Sequence, residues 1–292
     1  MSNEALVTFG VIGAGQMGRG IAQVAAQTGY RVMLADASLE LAEKGKATIV
    51  GLLDKLVEKG KLPAAERDAV AARITPAAGP ADFASVDLAV EAATENFELK
   101  VKLLAAYDAA LPERAILATN TSSISVTKLA AATKRPTRVM GMHFMNPVPL
   151  MKLCELVRGL QTSEETYATV RAAAERMGKT VVVSNDYPGF IVNRMLIPLL
   201  NEACLALQEG VAAAHDIDQG AKLGLNHPMG PLELSDLIGL DTVLAIAEVL
   251  HREIGDPKYR APTLLRNLVA AGWHGKKSGR GFYTYDASGK KA

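Results

Sequence analysis

The feature that most constrains the fold is a glycine-rich turn between two apolar segments near the start of the chain. An apolar, β-branched run from residue 7 to 12 predicts a buried strand. The letters GAGQMG follow, then apolar residues at helical spacing, and then a second apolar run that ends in Asp36. This order of strand, tight turn, helix, strand and acid is the G-x-G-x-x-G pattern of dinucleotide-binding units.

Each glycine of the turn has a physical role if the ligand is a dinucleotide. Gly13 would make the tight turn, Gly15 would let the backbone approach a pyrophosphate, and Gly18 would let the helix pack close to the sheet. Gln16 and Met17 lie at the helix start, where free N–H groups and the helix dipole favour phosphates. These five residues form the predicted cofactor-binding turn.

Asp36 favours NAD over NADP as the ligand. It lies about 18 residues after the last glycine of the turn, close to the spacing at which an acid accepts hydrogen bonds from the adenosine ribose. Its negative charge would repel a 2′-phosphate. Neither position 37 nor position 38 holds an arginine that could bind one.

Composition describes a globular protein without a strong field around it. Of the 292 residues 49% are hydrophobic and 22% are charged, with a formal net charge of +1, so we expect neither nucleic acid nor an anionic membrane as a partner. The start, MSNEALV, lacks a leader pattern, and no apolar run reaches the roughly 18 residues of a membrane span. These observations predict a cytoplasmic protein.

Metal-binding and disulfide patterns are absent from the sequence. Cys154 and Cys204 are the only cysteines, and both lie in apolar surroundings typical of buried thiols. The five histidines show no H-x-x-x-H spacing. We therefore expect no metal.

Alternating strand and helix patterns run from Val7 to about Ser184 and predict a doubly wound, mostly parallel sheet of the Rossmann type. The break at DYPGF, residues 186–190, is followed by helical periodicity alone. The sequence thus predicts an α/β fold in which residues 1–185 form the NAD-binding domain. Residues 186–292 would form a smaller all-α domain, which we expect to complete the substrate cleft and to form a dimer.

Polar residues follow several predicted strands at the edge where ligands of such sheets gather. Glu95 and Lys100 come after the strand at 87–92 and are candidates for the nicotinamide half of the cofactor, although an acid-rich helix start on the surface is the ordinary alternative. Lys55 and Lys59 lie one turn apart on the helix at 39–59. They form either a solvated face or an anchor for an anionic group of a substrate.

His143 is the candidate acid/base, at the end of a strand predicted at 139–142. Glu155 lies twelve residues later in the apolar segment MKLCELV. A buried carboxylate must be paired or neutral, and an imidazole partner would satisfy both groups and orient the ring. On the pattern alone a structural histidine is the alternative.

Several long segments of the chain are specific enough to indicate a family: VIGAGQMGRGIAQ, EAATENFELK, NTSSIS, GMHFMNPVPLMKLCELVRG, DYPGFIVNR, NHPMGPLELSDLIGLD and KKSGRGFYTY. With these segments the chain resembles the short-chain L-3-hydroxyacyl-CoA dehydrogenases from end to end, and most closely the bacterial enzymes that act on 3-hydroxybutyryl-CoA. The resemblance implies that His143 is the general acid/base and Glu155 its partner, and that Ser122 and Asn193 bind the 3-oxygen or the thioester carbonyl of the substrate.

The resemblance also extends the cofactor and substrate sites. It implies that Glu95, Lys100 and Asn120 contact NAD and that Lys55 and Lys59 meet the phosphates of coenzyme A. The expected reaction is the NAD(H)-dependent interconversion of (S)-3-hydroxybutyryl-CoA and acetoacetyl-CoA. A homodimer is expected as well, both from the family and from an apolar helix at 243–250, for which burial against the Rossmann domain is the alternative.

Three other functions stay open at this point. One is the same chemistry on a longer or carboxylated 3-hydroxyacyl-CoA, such as 3-hydroxyadipyl-CoA. Another is a β-hydroxyacid dehydrogenase of the 6-phosphogluconate type, against which the His143 and Glu155 context argues. The last is a non-catalytic NAD-binding relative that kept the fold.

Overall fold

The structure is a computed structural model that describes residues 7–292. The expectation that a leader is missing rests on the segment MSNEALV. All of that segment except Val7 lies outside the described residues. In the described part no helix combines the length and the apolar character needed to cross a membrane. The chain divides into two compact units, one that ends at Tyr187 and one from Pro188 to Ala292.

The first unit is built on an eight-stranded sheet with the order β3-β2-β1-β4-β5-β6-β7-β8. All neighbouring strands are parallel except β6 and β7, which are antiparallel. This confirms the predicted Rossmann-type, mostly parallel sheet. The strands are β1 (Thr8–Ile12), β2 (Arg31–Ala35), β3 (Ile74–Ala77), β4 (Leu88–Glu91), β5 (Ile116–Thr119), β6 (Val139–Phe144), β7 (Leu153–Arg158) and β8 (Thr180–Asn185).

Helices accompany the strands, and local signals fix their ends. The Ser38 hydroxyl accepts a hydrogen bond from the Leu41 N–H and so caps α2, whose buried stripe includes Ile49 and Leu53. Gly60, with φ of +65°, follows its end. The helices of this unit are α1 (Gln16–Gln27), α2 (Leu39–Glu58), α3 (Ala64–Arg73), α4 (Phe97–Ala110), α5 (Val126–Ala130) and α6 (Glu164–Arg176).

Two details of the sheet differ from the sequence-based expectation. Strand β6 continues through Phe144, so His143 lies inside the strand and not just beyond it. Strand β3 was not predicted, because it has only four residues and contains Pro76. A proline is tolerated there since β3 is the edge strand of the sheet.

The second unit contains helices and no strand among the described residues, which confirms the predicted all-α domain. Its helices are α7 (Val192–Gln208), α8 (Ala214–Gly224), α9 (Pro231–Ile238), α10 (Leu240–Ile254) and α11 (Thr263–Ala270). Val243, Ala247 and Leu250 of α10 are buried in the core of this unit, with Leu200 and Cys204 of α7. The apolar stripe of α10 is therefore used inside the unit, and it no longer argues for a dimer; the homodimer stays a prediction.

A buried carboxylate fixes the carboxy-terminal tail onto the helices of the second unit. Asp236, fully buried in α9, accepts hydrogen bonds from the N–H groups of Phe282 and Tyr283, both at 2.9 Å, and from the Tyr285 hydroxyl at 3.0 Å. Burial raises the pKa of this carboxyl. The tail lacks regular secondary structure, and the Asp236 side chain supplies acceptors for its hydrogen-bond donors instead.

Replacing Asp236 by alanine should release the tail, because three donors lose their buried acceptor. We expect Asp236→Ala to lower the free energy of unfolding by roughly 2–4 kcal/mol, measured by urea denaturation. Asp286→Ala is the matched control, since Asp286 accepts from Ser288, Gly289 and Lys290, all in its own exposed turn. Equal stability of the two variants would contradict this role of Asp236.

Candidate active site

The glycine-rich turn is packed so closely that two of its positions exclude any side chain. Gly13 has φ of +107°, and a Cβ there would lie 2.7 Å from the Ala93 Cα. A Cβ on Gly18 would lie 1.7 Å from the carbonyl oxygen of Gly13. Both glycines therefore serve the close approach of α1 and β4 to the turn.

Gly15 is different, because a Cβ there would meet nothing within 4 Å. It is the N-cap of α1, and no side chain among the described residues caps this helix. The start of α1 thus has open space at the Gly15 Cβ position and no side-chain cap, which suits an anion site at a helix start. The side chains of the next two residues point elsewhere: Gln16 donates to the Asn146 Oδ1 at 3.1 Å, and Met17 packs against the core.

Asp36 follows β2 and holds the turn in place. Its Oδ2 accepts from the Ala14 N–H at 2.5 Å and its Oδ1 from the Ala37 N–H at 2.7 Å. A carboxylate has about four acceptor positions, so these bonds leave capacity for ribose hydroxyls. The contact of Asp36 with a ribose stays a prediction.

At the carboxyl ends of β4 and β5, Glu95 organises the polar loop that contains Ser122. Its Oε1 accepts from the hydroxyl groups of Thr121, Ser122 and Ser123, at 2.7, 3.0 and 3.2 Å, and from the N–H groups of the two serines. Asn120 accepts from the Phe144 N–H at 2.8 Å through its side-chain oxygen. The predicted cofactor and substrate residues of this edge are thus tied to one another and to β6.

Lys100 lies beneath this surface and is only 1% exposed. Its Nζ donates to the Glu91 Oε2 at 2.5 Å and lies 3.8 Å from the Glu95 Oε2. Sequence reasoning missed Glu91, although an acid inside the apolar strand DLAVEA was the signal for it. The predicted contact of Lys100 with NAD stays a prediction, and Glu91 is an additional residue of the site.

The antiparallel register of β6 and β7 places His143 directly opposite Glu155. The His143 Nδ1 lies 2.8 Å from the Glu155 Oε2, and the two residues are 7% and 0% exposed. A carboxylate at this position fixes the ring orientation and keeps the proton on Nδ1 when the imidazole is neutral. The two residues that the sequence analysis placed together are in contact in the structure.

The loop after His143 is held by a buried lysine. The Lys179 Nζ donates to the carbonyl oxygens of Val148 and Met151, at 2.6 and 2.9 Å, and burial lowers the pKa of this amine. Val148 in turn packs against α1, where a Cβ on Gly20 would lie 2.8 Å from the Val148 Cβ. The loop thus links β6, which carries His143, to α1.

The remaining predicted residues lie in other parts of the two units. Lys55 and Lys59 are exposed on α2, and no carboxylate in the described part of the chain forms an ion pair with either. Asn193 is 7% exposed in the first turn of α7, in the second unit. Both cysteines are buried as expected, which raises their pKa, to about 12 for Cys204. Residues 7–292 contain no cluster of His, Cys, Asp and Glu that could hold a metal.

Fold and site together define a dinucleotide-binding α/β protein with a histidine–carboxylate pair on its sheet. A family model described as the 3-hydroxyacyl-CoA dehydrogenase NAD-binding domain matches residues 8–187, and one for the C-terminal domain of these enzymes matches 189–285. The chain belongs to the 3-hydroxyacyl-CoA dehydrogenase family, and it is an oxidoreductase of this NAD-dependent kind.

Relatives of known name cover nearly all of the chain. A probable 3-hydroxybutyryl-CoA dehydrogenase of Deinococcus radiodurans is 54% identical over 95% of this chain and 99% of its own length. The 3-hydroxybutyryl-CoA dehydrogenase of Bradyrhizobium diazoefficiens is 50% identical over 94% of each chain. The crystal structure of (S)-3-hydroxybutyryl-CoA dehydrogenase PaaH1 from Ralstonia eutropha, 51% identical, matches with a TM-score of 0.93 over 97% of this chain and all of that chain.

NAD is the cofactor that the family implies, and the residues present fit it. The open face at Gly15 and the uncapped start of α1 suit a pyrophosphate, and Asp36 offers acceptors for a ribose.

The glycines can be tested separately because they act in different ways. Gly18→Ala should destabilise the fold, since the added Cβ would overlap the Gly13 carbonyl oxygen. Gly15→Ala should keep its unfolding midpoint but bind NADH at least about tenfold more weakly, because the methyl group occupies the space where a pyrophosphate would approach. Thermal unfolding and NADH fluorescence titration measure the two effects.

Gly51→Ala is the matched control, since Gly51 lies inside α2 and a Cβ there meets nothing within 4 Å. It should keep NADH affinity and gain roughly 0.5–1 kcal/mol in stability. Unchanged NADH binding by Gly15→Ala would exclude the predicted pyrophosphate site.

Proposed function

We propose that this protein interconverts (S)-3-hydroxybutyryl-CoA and acetoacetyl-CoA with NAD(H) as the redox partner. The observation that carries the proposal is the 2.8 Å contact between His143 and Glu155 on neighbouring strands of the sheet that bears the glycine turn. The family supports hydride chemistry at the 3-position of an acyl-CoA. The names of the relatives support the four-carbon substrate.

In this proposal His143 is the group that exchanges a proton with the 3-oxygen of the substrate. Glu155 accepts from Nδ1, so Nε2 is the ring atom for the exchange. In the reducing direction the bound cofactor supplies the hydride to the 3-keto carbon. His143 then protonates the oxygen that becomes the hydroxyl group. In the oxidising direction His143 removes that proton, and the buried charge of Glu155 stabilises the imidazolium that forms.

Ser122 and Asn193 are proposed to hold the substrate oxygens. A hydrogen-bond donor that meets negative charge as it develops lowers the barrier by roughly 3 kcal/mol. In the structure the single hydroxyl proton of Ser122 is donated to the Glu95 Oε1 at 3.0 Å, so we propose that the hydroxyl turns from this acceptor to donate to the substrate oxygen. The amide of Asn193 is proposed for the same task on the strength of the family resemblance.

The coenzyme A part of the substrate would meet the exposed lysines of α2. Lys55 and Lys59 are one helical turn apart and carry charges that no described carboxylate neutralises, which suits phosphate groups. A longer or carboxylated acyl group would keep all of this chemistry. It is therefore the second candidate, and an assay over several acyl-CoA substrates decides between the two.

The direct test is the loss of NADH absorbance with acetoacetyl-CoA, run beside NADPH and beside a longer 3-ketoacyl-CoA. We expect oxidation of NADH with the four-carbon substrate, and a reduction of kcat by about 100-fold or more in His143→Gln with unchanged NADH affinity. The control is His215→Gln, which changes an exposed histidine of α8. Near-normal turnover by His143→Gln would refute the proposed acid/base.

Glu155→Gln tests the pairing itself. The amide keeps the size of the side chain but cannot balance the charge of an imidazolium, so kcat should fall severely while NADH affinity stays unchanged. Steady-state kinetics and NADH fluorescence titration, run beside the wild type, measure this. Turnover close to that of the wild type would separate Glu155 from the proposed acid/base.

A further inference from the structure

Glu91 occupies the point of the sheet where the chain changes direction. From β1 the chain proceeds outward to β2 and β3, and β4 then returns to the opposite side of β1. Glu91 is the last residue of β4 and pairs in register with Ile12 of β1 and Thr119 of β5. Ligands of doubly wound sheets bind at the carboxyl edge of this switch point, so Glu91 lies directly under that place.

The carboxylate of Glu91 is fully buried and joins three different elements. Its Oε1 accepts from the Ala93 N–H at 2.8 Å. Its Oε2 accepts from the Thr119 hydroxyl at 2.8 Å and from the Lys100 ammonium at 2.5 Å. Two buried charges are tolerated only where such a set of hydrogen bonds is complete, so removal of one partner disturbs the others.

Two of the three partners of Glu91, Ala93 and Lys100, contact parts of the candidate cofactor site. Ala93 is the backbone that lies against Gly13, where a Cβ would be 2.7 Å from its Cα. Lys100 lies 3.8 Å from Glu95, whose other oxygen holds the loop of Ser122. The positions of the glycine turn and of the loop of Ser122 thus both depend on one buried carboxylate.

We propose that Glu91 is a positioning residue for the cofactor: it fixes the Lys100 ammonium and the Ala93 backbone, and thereby sets the affinity for NADH. Without its charge, Glu95 would be the only carboxylate among residues 7–292 within 4 Å of Lys100. The ammonium would then move toward Glu95, and the Ala93 N–H would lose its charged acceptor. The proposal rests on the proposed function only in its choice of NADH as the ligand.

The test is Glu91→Gln in the full chain, with NADH affinity measured by fluorescence titration without acyl-CoA. We expect binding to weaken by about tenfold or more, because misplaced groups lose their contacts with the ligand. The KM for NADH should rise in parallel. A merely structural role would reduce the active fraction and kcat and leave the KM for NADH unchanged.

Asp108→Asn is the matched control. Asp108 is another buried carboxylate of the same unit, and it pairs with Arg135 at 2.5 Å. It lies near the end of α4, whereas Lys100 lies near the start of that helix. This variant should lose stability but keep NADH affinity. If Glu91→Gln does not fold, Glu91→Asp keeps the charge, draws the carboxylate back by one methylene, and should still weaken NADH binding measurably.

The route through Lys100 is tested by a double variant. If Glu91 acts mainly by holding that ammonium, Glu91→Gln combined with Lys100→Met should bind NADH about as weakly as Lys100→Met alone. Folded Glu91→Gln with NADH affinity within about twofold of the wild type would overturn the proposal. A wild type that binds NADH but turns over no acyl-CoA would instead overturn the proposed function and leave this test valid.

Discussion

The antiparallel pairing of β6 with β7 is the interaction on which the acid/base arrangement depends. Every other pair in the sheet is parallel. Parallel neighbours are joined by a long crossover connection, which does not hold a side chain of one strand against a side chain of the other. The reversal at β7 sets Glu155 directly across from His143 at a 2.8 Å contact. A shift by one residue would turn Glu155 to the other face of the sheet, so the proposed acid/base pair depends on this register.

Below the surface that meets ligands, the first unit has a second layer made of buried charges with complete partners. Glu91 and Lys100 neutralise each other, and Lys179 donates to two carbonyl oxygens of the loop after His143. Buried charges are costly unless they are paired and hydrogen-bonded. Each of these buried groups needs its hydrogen-bond partners in place, so each fixes the backbone around it. The residues that face the ligands are held in position as a result.

The sequence predicted the parts of the structure that local signals determine. The glycine turn, the cap at Ser38 and the helix Pro231–Ile238 follow from residues within a few positions of one another. Strand β3 was not predicted because four edge residues with a proline carry little periodicity. The ion pair of Glu91 and Lys100 was not predicted because it depends on how the end of a strand packs against the helix that follows. Burial of Val243 and Leu250 depends on the packing of α10 with α7, which periodicity alone does not assign.

The buried ion pairs also bear on whether the chain is a catalyst or only a scaffold that binds NAD. Arg135, paired with Asp108, donates to backbone carbonyls that include those of Leu111 and Ala115, so its burial satisfies the main chain. His143 and Glu155 lie within paired strands, where the ladder already satisfies the backbone. A well-packed apolar pair would be at least as stable at such a position, since a buried ion pair seldom adds net stability. The proposed acid/base role of His143 would give the Glu155 carboxylate a physical reason that stability does not supply.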